Sequence, residues 1–215
     1  MQSVRARRTA GYLRPAVLIL LWAAPASAQI DAVVGLGGGV AAYKAVDDMA
    51  DDSVGFALVY RLGKPEGFRP TFGLNWYSTD FDTVVAGQRV ALGGLRLRPV
   101  MAGYGYWLQG ERVALAATVV GGFSFNSFDT ADALRIAYDR DLDELLLRVE
   151  ASHSLAGRAE AGVWFDLTSR LGLMASVGYV AARPEITITT DESRESRRLR
   201  ADAVKFQIGL VYGLF

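Results

Sequence analysis

The chain of 215 residues contains no cysteine and only one histidine. The lack of cysteine excludes a disulfide-stabilised scaffold, a zinc site with thiolate ligands and a cysteine nucleophile. Basic and acidic side chains are equal in number, 23 of each, so no cationic excess indicates a nucleic-acid-binding protein. From these absences we expect no cofactor and no nucleic-acid partner.

Long apolar runs are also absent, since a membrane-spanning helix needs about 20 residues and the longest run covers only residues 16–24. Four arginines precede that run and the small residues Ala26-Ser27-Ala28 follow it, which is the pattern of a secretory signal. We therefore predict that residues 1–28 form a cleaved signal peptide and that residues 29–215 form one domain. The alternative, an N-terminal membrane anchor, would need a longer run. No cysteine follows the cleavage site, so a lipoprotein is excluded.

The C-terminal segment, residues 205–215, alternates strictly between two kinds of side chain. One row is apolar and aromatic, and the other is small or polar; the apolar row is Phe206, Ile208, Leu210, Tyr212 and Leu214. A period of two places the rows on opposite faces of a strand. The pattern fits a lipid-facing row opposite a lumen-facing row in a transmembrane β-barrel.

Seven further segments show similar alternation. Their predicted outward rows begin at Ile30, Val54, Phe72, Leu95, Val113, Ala159 and Leu171. Eight antiparallel strands are enough to close a sheet and leave no unpaired edge in lipid. The sequence therefore predicts an all-β fold, an eight-stranded antiparallel up-and-down transmembrane β-barrel.

The predicted connections alternate between short and long. Short turns are expected near residues 63–67, 109–111 and 168–170, and longer polar segments near 44–53, 79–88, 127–155 and 184–200. We expect a helix in the third long segment, with Ala133, Leu134, Ala137 and Tyr138 on one face. Short periplasmic turns and long external loops alternate in this way in outer-membrane barrels.

The chain resembles the small bacterial outer-membrane β-barrels of the OmpA/OmpX type. The most specific part of the resemblance is the assembly signal of the last strand, which is matched by Gln207, Gly209, Tyr212 and Leu214, with Phe215 one position later. The resemblance implies an outer-membrane barrel over residues 29–215 with both termini in the periplasm. It implies contact with outer-membrane lipid, lipopolysaccharide and the barrel-assembly machinery. It brings no catalytic, cofactor-binding or metal-binding residue, because the superfamily has no common chemistry.

The interior of an eight-stranded barrel is just wide enough to be filled by its own side chains. We predict that Arg96 and Arg98 on the fourth strand pair with Glu160 on the sixth, and that Asn75 and Trp164 complete a plug in the lumen. Buried charges must pair or remain hydrated, which is why an arginine–glutamate arrangement suits this space.

Other motifs have weaker functional interpretations. Glycines at 35–39 lack the G-x-G-x-x-G spacing of a dinucleotide site, so we expect them to let the wall curve. His153 lies between Ser152 and Ser154, and some outer-membrane barrel enzymes use a His–Ser pair on lipid A. Neighbours on a strand point to opposite faces, however, so we expect His153 to lie at the rim.

Charged segments give two further hypotheses. Asp139, Asp141, Asp143 and Glu150 have the spacing of calcium-loop ligands, but Glu144 replaces the required glycine, so we expect no tight calcium site. The arginines of the last long segment could contact anionic headgroups or be neutralised by neighbouring acids; they are Arg194, Arg197, Arg198 and Arg200.

Three classes of function remain open for this sequence. We favour a structural or surface-interaction barrel that acts through its external loops, and we expect it not to be an enzyme. The alternatives are a narrow passage for small solutes and an outer-membrane lipid-modifying enzyme.

Overall fold

The computed structural model describes residues 34–62, 66–85, 87–132, 148–189 and 194–214. The predicted signal peptide and the predicted helix near residue 133 lie outside these ranges. Across the described ranges, no helix is long and apolar enough to cross a membrane.

Nearly all of the described chain is β-strand. In chain order the strands are β1 (Val34–Ala45), β2 (Ser53–Leu62), β3 (Gly67–Val85), β4 (Gln88–Gln109), β5 (Val113–Thr130), β6 (Arg148–Ala151), β7 (Ser154–Asp166), β8 (Leu171–Ala182), β9 (Glu185–Thr189), β10 (Arg194–Arg198) and β11 (Ala203–Gly213).

Eight of these strands form a closed antiparallel barrel in the order β1-β11-β8-β7-β5-β4-β3-β2. The first and last strands close the wall through a continuous ladder that runs from Gly35 opposite Gly213 to Ala45 opposite Ala203. The predicted fold class is therefore confirmed. We call the end that holds Val34, Leu214 and the β4–β5 and β7–β8 turns the turn end, and the opposite end the loop end.

The loop end carries a second, three-stranded sheet in the order β10-β9-β6. These strands belong to segments that the sequence predicted as loops. The prediction of a long loop at residues 79–88 is also wrong, because β3 and β4 remain paired as far as Val85 opposite Gln88. The strands β3, β4 and β5 are therefore much longer than the others and extend the wall on one side.

The alternation of side chains is confirmed along β11. Phe206, Ile208, Leu210 and Tyr212 are about half exposed on the outer face, whereas Lys205, Gln207 and Val211 are buried inside. Large apolar or aromatic side chains are exposed on the outer face of every wall strand. An apolar surface that surrounds the whole molecule is not found on soluble monomers, which rarely expose a patch above a few hundred Å².

The interior contains two apolar layers. The layer near the loop end contains Tyr43, Leu95 and Leu97. Ile186 of β9 and Leu199, which follows β10, pack on it from the loop end. The layer near the turn end is built around Trp107 and Trp164, with Val59, Met174 and Val211. Between them lies a polar layer, which is the candidate site.

Candidate functional site in the barrel lumen

A group of three ionised side chains occupies the middle of the lumen. Arg158 and Glu160 are two residues apart on β7, so the strand period turns both inward. The Nε atom of Arg158 lies 3.4 Å from Oε2 of Glu160, and Nζ of Lys205 on β11 pairs with the same oxygen. The three side chains are only 8%, 12% and 0% exposed, respectively. They form a buried ion group that links β7 and β11 on the inner side of β8, which lies between them in the wall.

The ion group continues into a hydrogen-bonded network toward the loop end. Nη1 of Arg158 donates to Oδ1 of Asn75 at 2.8 Å, and Nδ2 of Asn75 donates to the Tyr43 hydroxyl at 3.0 Å. The Tyr43 ring stacks on the Tyr77 ring, with centroids 4.0 Å apart and planes 12° apart. These contacts hold the Arg158 guanidinium in place and connect the polar layer to the apolar layer near the loop end.

A second ion pair lies at the turn end. Arg61 of β2 pairs with Asp166 of β7, and the two side chains are 2% and 1% exposed. Nη2 of Arg61 also donates to Oε1 of Gln109 at 3.3 Å. The tilted rings of Trp107 and Trp164, with centroids 5.6 Å apart, pack in the apolar layer between this pair and the mid-lumen group. The lumen therefore alternates between polar and apolar layers along its axis.

The prediction that Arg96 and Arg98 plug the lumen is wrong. Both side chains are exposed on the outer face of β4, and Arg96 forms an ion pair with Asp129 that is more than half exposed. Leu95 and Leu97 point inward instead and are fully buried. The physical reason is that β4 extends past the part of the wall whose outer surface is apolar. In this extension Leu95 and Leu97 face the packed interior, and Arg96 and Arg98 face outward.

The other three predicted plug residues lie inside the barrel. Asn75 and Trp164 are buried, and Glu160 is in the mid-lumen ion group. The sequence prediction gave Glu160 the wrong partners, because Arg158 and Lys205 take the place assigned to Arg96 and Arg98. Arg158 and Lys205 lie in the inward-facing rows of β7 and β11, so the alternation of side chains in the sequence could have identified them. Arg61 and Asp166 were likewise detectable from parity alone.

The barrel wall has a weak seam between β2 and β3. These strands pair only where Gly55–Leu58 lies opposite Leu74–Tyr77, although both continue toward the turn end. There the Tyr60 hydroxyl bridges the strands, since it is 3.0 Å from Oγ1 of Thr71 and accepts from the Phe72 amide. Pro70 lies in this part of β3 and has no amide hydrogen, so it cannot donate a backbone hydrogen bond to a neighbouring strand. A side chain thus replaces backbone pairing at this point of the wall.

Two cavities adjoin the seam. One of about 50 Å³ reaches the polar layer; its lining includes Tyr60, Thr71, Trp107, Thr118, Arg158, Glu160, Ser176 and Gln207. Another of about 110 Å³ lies toward the turn end and shares Tyr60, Thr71 and Trp107 with the first. The ion group is therefore bordered by free space on the side of the seam.

At the loop end, just before β11 begins, the carboxylate of Asp202 contacts two residues of β8 and two arginines. It accepts hydrogen bonds from Arg200 at 2.9 Å, Tyr179 at 3.1 Å, the Ala182 amide at 3.2 Å and Arg183 at 3.3 Å. Burial raises the pKa of Asp202, but these hydrogen bonds and the neighbouring positive charges outweigh burial and hold the pKa below its usual value.

This depressed pKa makes loop-end stability depend on pH. A carboxylate with a lowered folded-state pKa stabilises the fold above its unfolded pKa of about 3.9, and this stabilisation is lost as pH falls through the folded value. We expect Asp202→Asn to be less stable than wild type at pH 7 and to approach wild type as pH falls below about 4, measured by urea unfolding. Asp129→Asn, which breaks an exposed pair, is the control and should change little at any pH. A constant difference between Asp202→Asn and wild type across that range would contradict the assignment.

The His153 region does not form a nucleophile–base pair. Nδ1 of His153 accepts from the Asn126 amide at 3.2 Å, and the ring packs edge-on against Phe123 and Phe125. The Ser152 hydroxyl donates to the Glu185 carbonyl at 3.0 Å, and the Ser154 hydroxyl accepts from Asn126. Each serine is therefore engaged with a group other than the imidazole.

The remaining sequence motifs have structural positions. The glycines at 35–39 lie in β1, where Gly37 passes close to the backbone of β11. Within the ranges that the structure describes, no cluster of three or more metal-ligating side chains occurs. Asp139, Asp141, Asp143 and Glu144 lie outside those ranges, while Glu150 of β6 pairs with Arg148 at 2.6 Å. Of the predicted assembly signal, Gln207 and Gly209 face inward and Tyr212 and Leu214 outward, and Phe215 is not among the described residues.

Comparison with known proteins gives matches in structure but not in sequence. No protein-family model matches the chain, and no curated protein matches it significantly. The outer membrane protein OprG from Pseudomonas aeruginosa superposes with a TM-score of 0.69 at 13% identity, over 87% of this chain and 98% of OprG. Neisserial surface protein A (NspA) gives a TM-score of 0.50 at 12% identity, over 84% of this chain and 97% of NspA. The chain therefore has the fold of the small eight-stranded outer-membrane β-barrels.

Proposed function

We propose that this protein is an integral β-barrel of the bacterial outer membrane, with the turn end and both termini in the periplasm. The exposed apolar rows on all wall strands support a lipid-embedded wall. The orientation follows from the connections, because short turns face the periplasm and longer segments face outward in such barrels. The last strand, with Gln207 and Gly209 inside and Tyr212 and Leu214 outside, is the part that the barrel-assembly machinery would recognise.

Within that membrane, we propose a structural or surface-interaction role through the loop end. The observation that carries this proposal is the contrast between the filled lumen and the elaborated loop end. Side chains occupy the barrel axis in successive layers, from Arg61–Asp166 through the tryptophans and the ion group to Leu95 and Leu97. Above the wall, the sheet of β6, β9 and β10 presents an additional surface.

The partner that this surface suits is lipopolysaccharide. Strand β10 is a fully exposed edge strand and carries Arg194, Arg197 and Arg198. Guanidinium groups bind phosphate through paired hydrogen bonds, and phosphates are the dominant anions of the outer leaflet. The location of β10 outside the wall would place these arginines at or above the headgroups.

The test is binding of refolded protein to lipopolysaccharide in detergent. We expect a variant with all three β10 arginines changed to glutamine to bind at least about tenfold more weakly. A matched variant with Arg69, Arg112 and Arg170 of the turn end changed to glutamine should bind like wild type. Equal binding by wild type and the β10 variant would reject β10 as the contact surface, and absence of binding by wild type would reject the partner.

A specific observation also favours the second candidate function, a narrow passage for small solutes. Beside the polar layer, the wall between β2 and β3 lacks a continuous hydrogen-bonded ladder. Two cavities adjoin this seam. Passage along the axis would still require displacement of both the Trp107–Trp164 layer and the loop-end layer. We therefore rank this function second. The Ser152 and Ser154 contacts give no support to the third, lipid modification.

Membrane embedding predicts a large effect at Leu210, which is 52% exposed on the outer face of β11. Leu210→Arg should lower the free energy of unfolding in lipid by about 2–4 kcal/mol if the position is near the bilayer midplane. Leu210→Ile is the matched control and should stay within about 1.5 kcal/mol. On the inner face the neighbouring Gly209 has little room for a larger residue, because a Cβ atom there would lie 2.8 Å from Cγ2 of Val59. If Leu210→Arg unfolded at the same urea concentration as wild type, this face would not contact lipid.

A further inference from the structure

The mid-lumen ion group has an unbalanced charge. Arg158 and Lys205 are both basic side chains, and Nε of Arg158 and Nζ of Lys205 both lie against the single oxygen Oε2 of Glu160. The ion pairs found in the described part of the chain bring no second carboxylate to this group, since Asp166 pairs with Arg61 at the turn end. With both bases protonated, the group carries a net charge of +1 in a closed interior. An uncompensated buried charge is costly, so the arrangement favours a counter-ion.

The 50 Å³ cavity lies beside this charge and offers hydrogen-bond donors. Arg158 and Glu160 line it together with Thr118 and Ser176. The hydroxyls of Thr118 and Ser176 are buried and have no hydrogen-bond partner within the described structure. Both hydroxyls can donate a proton, and a site with unused donors beside a positive charge selects an anion. Since one water needs about 10–15 Å³ of such space, the cavity has room for one small ion and a few waters.

We propose that this cavity binds a small monovalent anion of the size of chloride, held by Arg158 and by the hydroxyls of Thr118 and Ser176. The anion neutralises the mid-lumen group and accepts from the two unused hydroxyls. It reaches the site along the β2–β3 seam, where the second cavity continues past Tyr60 and Thr71 toward Leu62 and Arg69 at the turn end. The site is independent of the proposed surface role, because it lies in the barrel interior and involves no residue of β10.

The first test is the urea midpoint of refolded protein in detergent, measured while chloride replaces gluconate at constant ionic strength. An anion that binds only the folded state stabilises it in a saturable way. We expect the wild-type midpoint to rise with chloride and to reach a plateau. A midpoint that is independent of chloride in wild type would overturn the proposal.

Two variants of opposite sign distinguish this site from a general salt effect. Arg158→Gln leaves Lys205 and Glu160 balanced, so half-saturation by chloride should require at least about tenfold more chloride. Glu160→Gln raises the charge of the group, so half-saturation should occur at lower chloride. Arg98→Gln, on the outer face, should respond like wild type. An unchanged chloride response in Arg158→Gln, or weaker binding in Glu160→Gln, would overturn the proposal.

Because either variant could fail to refold, the wild-type protein provides a second test. Crystals soaked in bromide should show an anomalous peak in the cavity within about 3.5 Å of the Arg158 guanidinium and of the Thr118 or Ser176 hydroxyl. Bromide peaks confined to the protein surface, with none in the cavity, would reject the site.

Discussion

Asp166→Asn should lower the free energy of unfolding by about 3–5 kcal/mol, because it leaves the Arg61 guanidinium charged and buried without its carboxylate. The two side chains are 2% and 1% exposed, so water cannot replace the lost partner without entering the lumen. Urea titration of the refolded protein in lipid measures the loss. The effect should be among the largest that a single polar substitution produces in this barrel.

Two controls separate the buried charge from a general loss of packing. Arg61→Met/Asp166→Leu removes both charges together and should remain much closer to wild type than Asp166→Asn. Glu150→Gln breaks the exposed pair with Arg148 and should cost less than about 1 kcal/mol. If Asp166→Asn were no less stable than Glu150→Gln, the turn end of the lumen would be hydrated rather than closed.

Gly37→Ala should also be strongly destabilising, with an expected loss of about 3 kcal/mol. A Cβ atom at Gly37 would lie 1.7 Å from the Leu210 carbonyl oxygen and 2.8 Å from Cα of Val211. Both are backbone atoms of β11, so relief requires the closing strands of the barrel to separate. The free energy of unfolding in lipid is again the measurement.

The adjacent residue provides the matched control for Gly37→Ala. A Cβ atom at Gly38 would meet nothing within 4 Å, because this position faces outward. Gly38→Ala should therefore stay within about 0.5 kcal/mol of wild type. Equal losses at the two positions would show that the register between β1 and β11 is wrong.

The sequence was sufficient to predict the barrel and most of its inward and outward rows. The period of two is a local property, and a closed wall is the only way to satisfy strand backbones in lipid. On β11, alternation alone placed Lys205 and Gln207 inside and Leu210 and Tyr212 outside. The same parity on β7 identified Glu160 and Trp164 as interior residues.

Arg96 and Arg98 were misplaced because hydrophobicity was given precedence over parity. Val100, Tyr104 and Tyr106 face outward on β4, and Arg96 and Arg98 share their parity. An apolar row marks the outer face only where the wall meets lipid; closer to the loop end it marks the packed interior. Continuing the parity of Val100, Tyr104 and Tyr106 back through Pro99 would have given the correct assignment.

Other features depend on contacts that are distant in sequence. Lys205 on β11 pairs with Glu160 on β7, two strands away in the wall, and the spacing of the two residues in the sequence does not predict this contact. The incomplete β2–β3 ladder results from the geometry of the whole wall. The loop-end sheet had a local signal, since Ile186 and Ile188 alternate with Thr187 and Thr189, but the pattern covers only five residues.

Closure of the lumen by side chains is tested most directly by planar-bilayer recording of refolded protein. The wild type should show no steady ion conductance, and Arg96→Ala/Arg98→Ala should remain equally closed because these side chains lie outside the barrel. Trp107→Ala/Trp164→Ala removes only one of the successive layers and should also remain closed, because the Arg61–Asp166 pair and the loop-end layer still fill the axis. A stable open pore in the wild-type protein, with conductance unchanged by removal of the two tryptophans, would contradict the account and make passage of small solutes the preferred function.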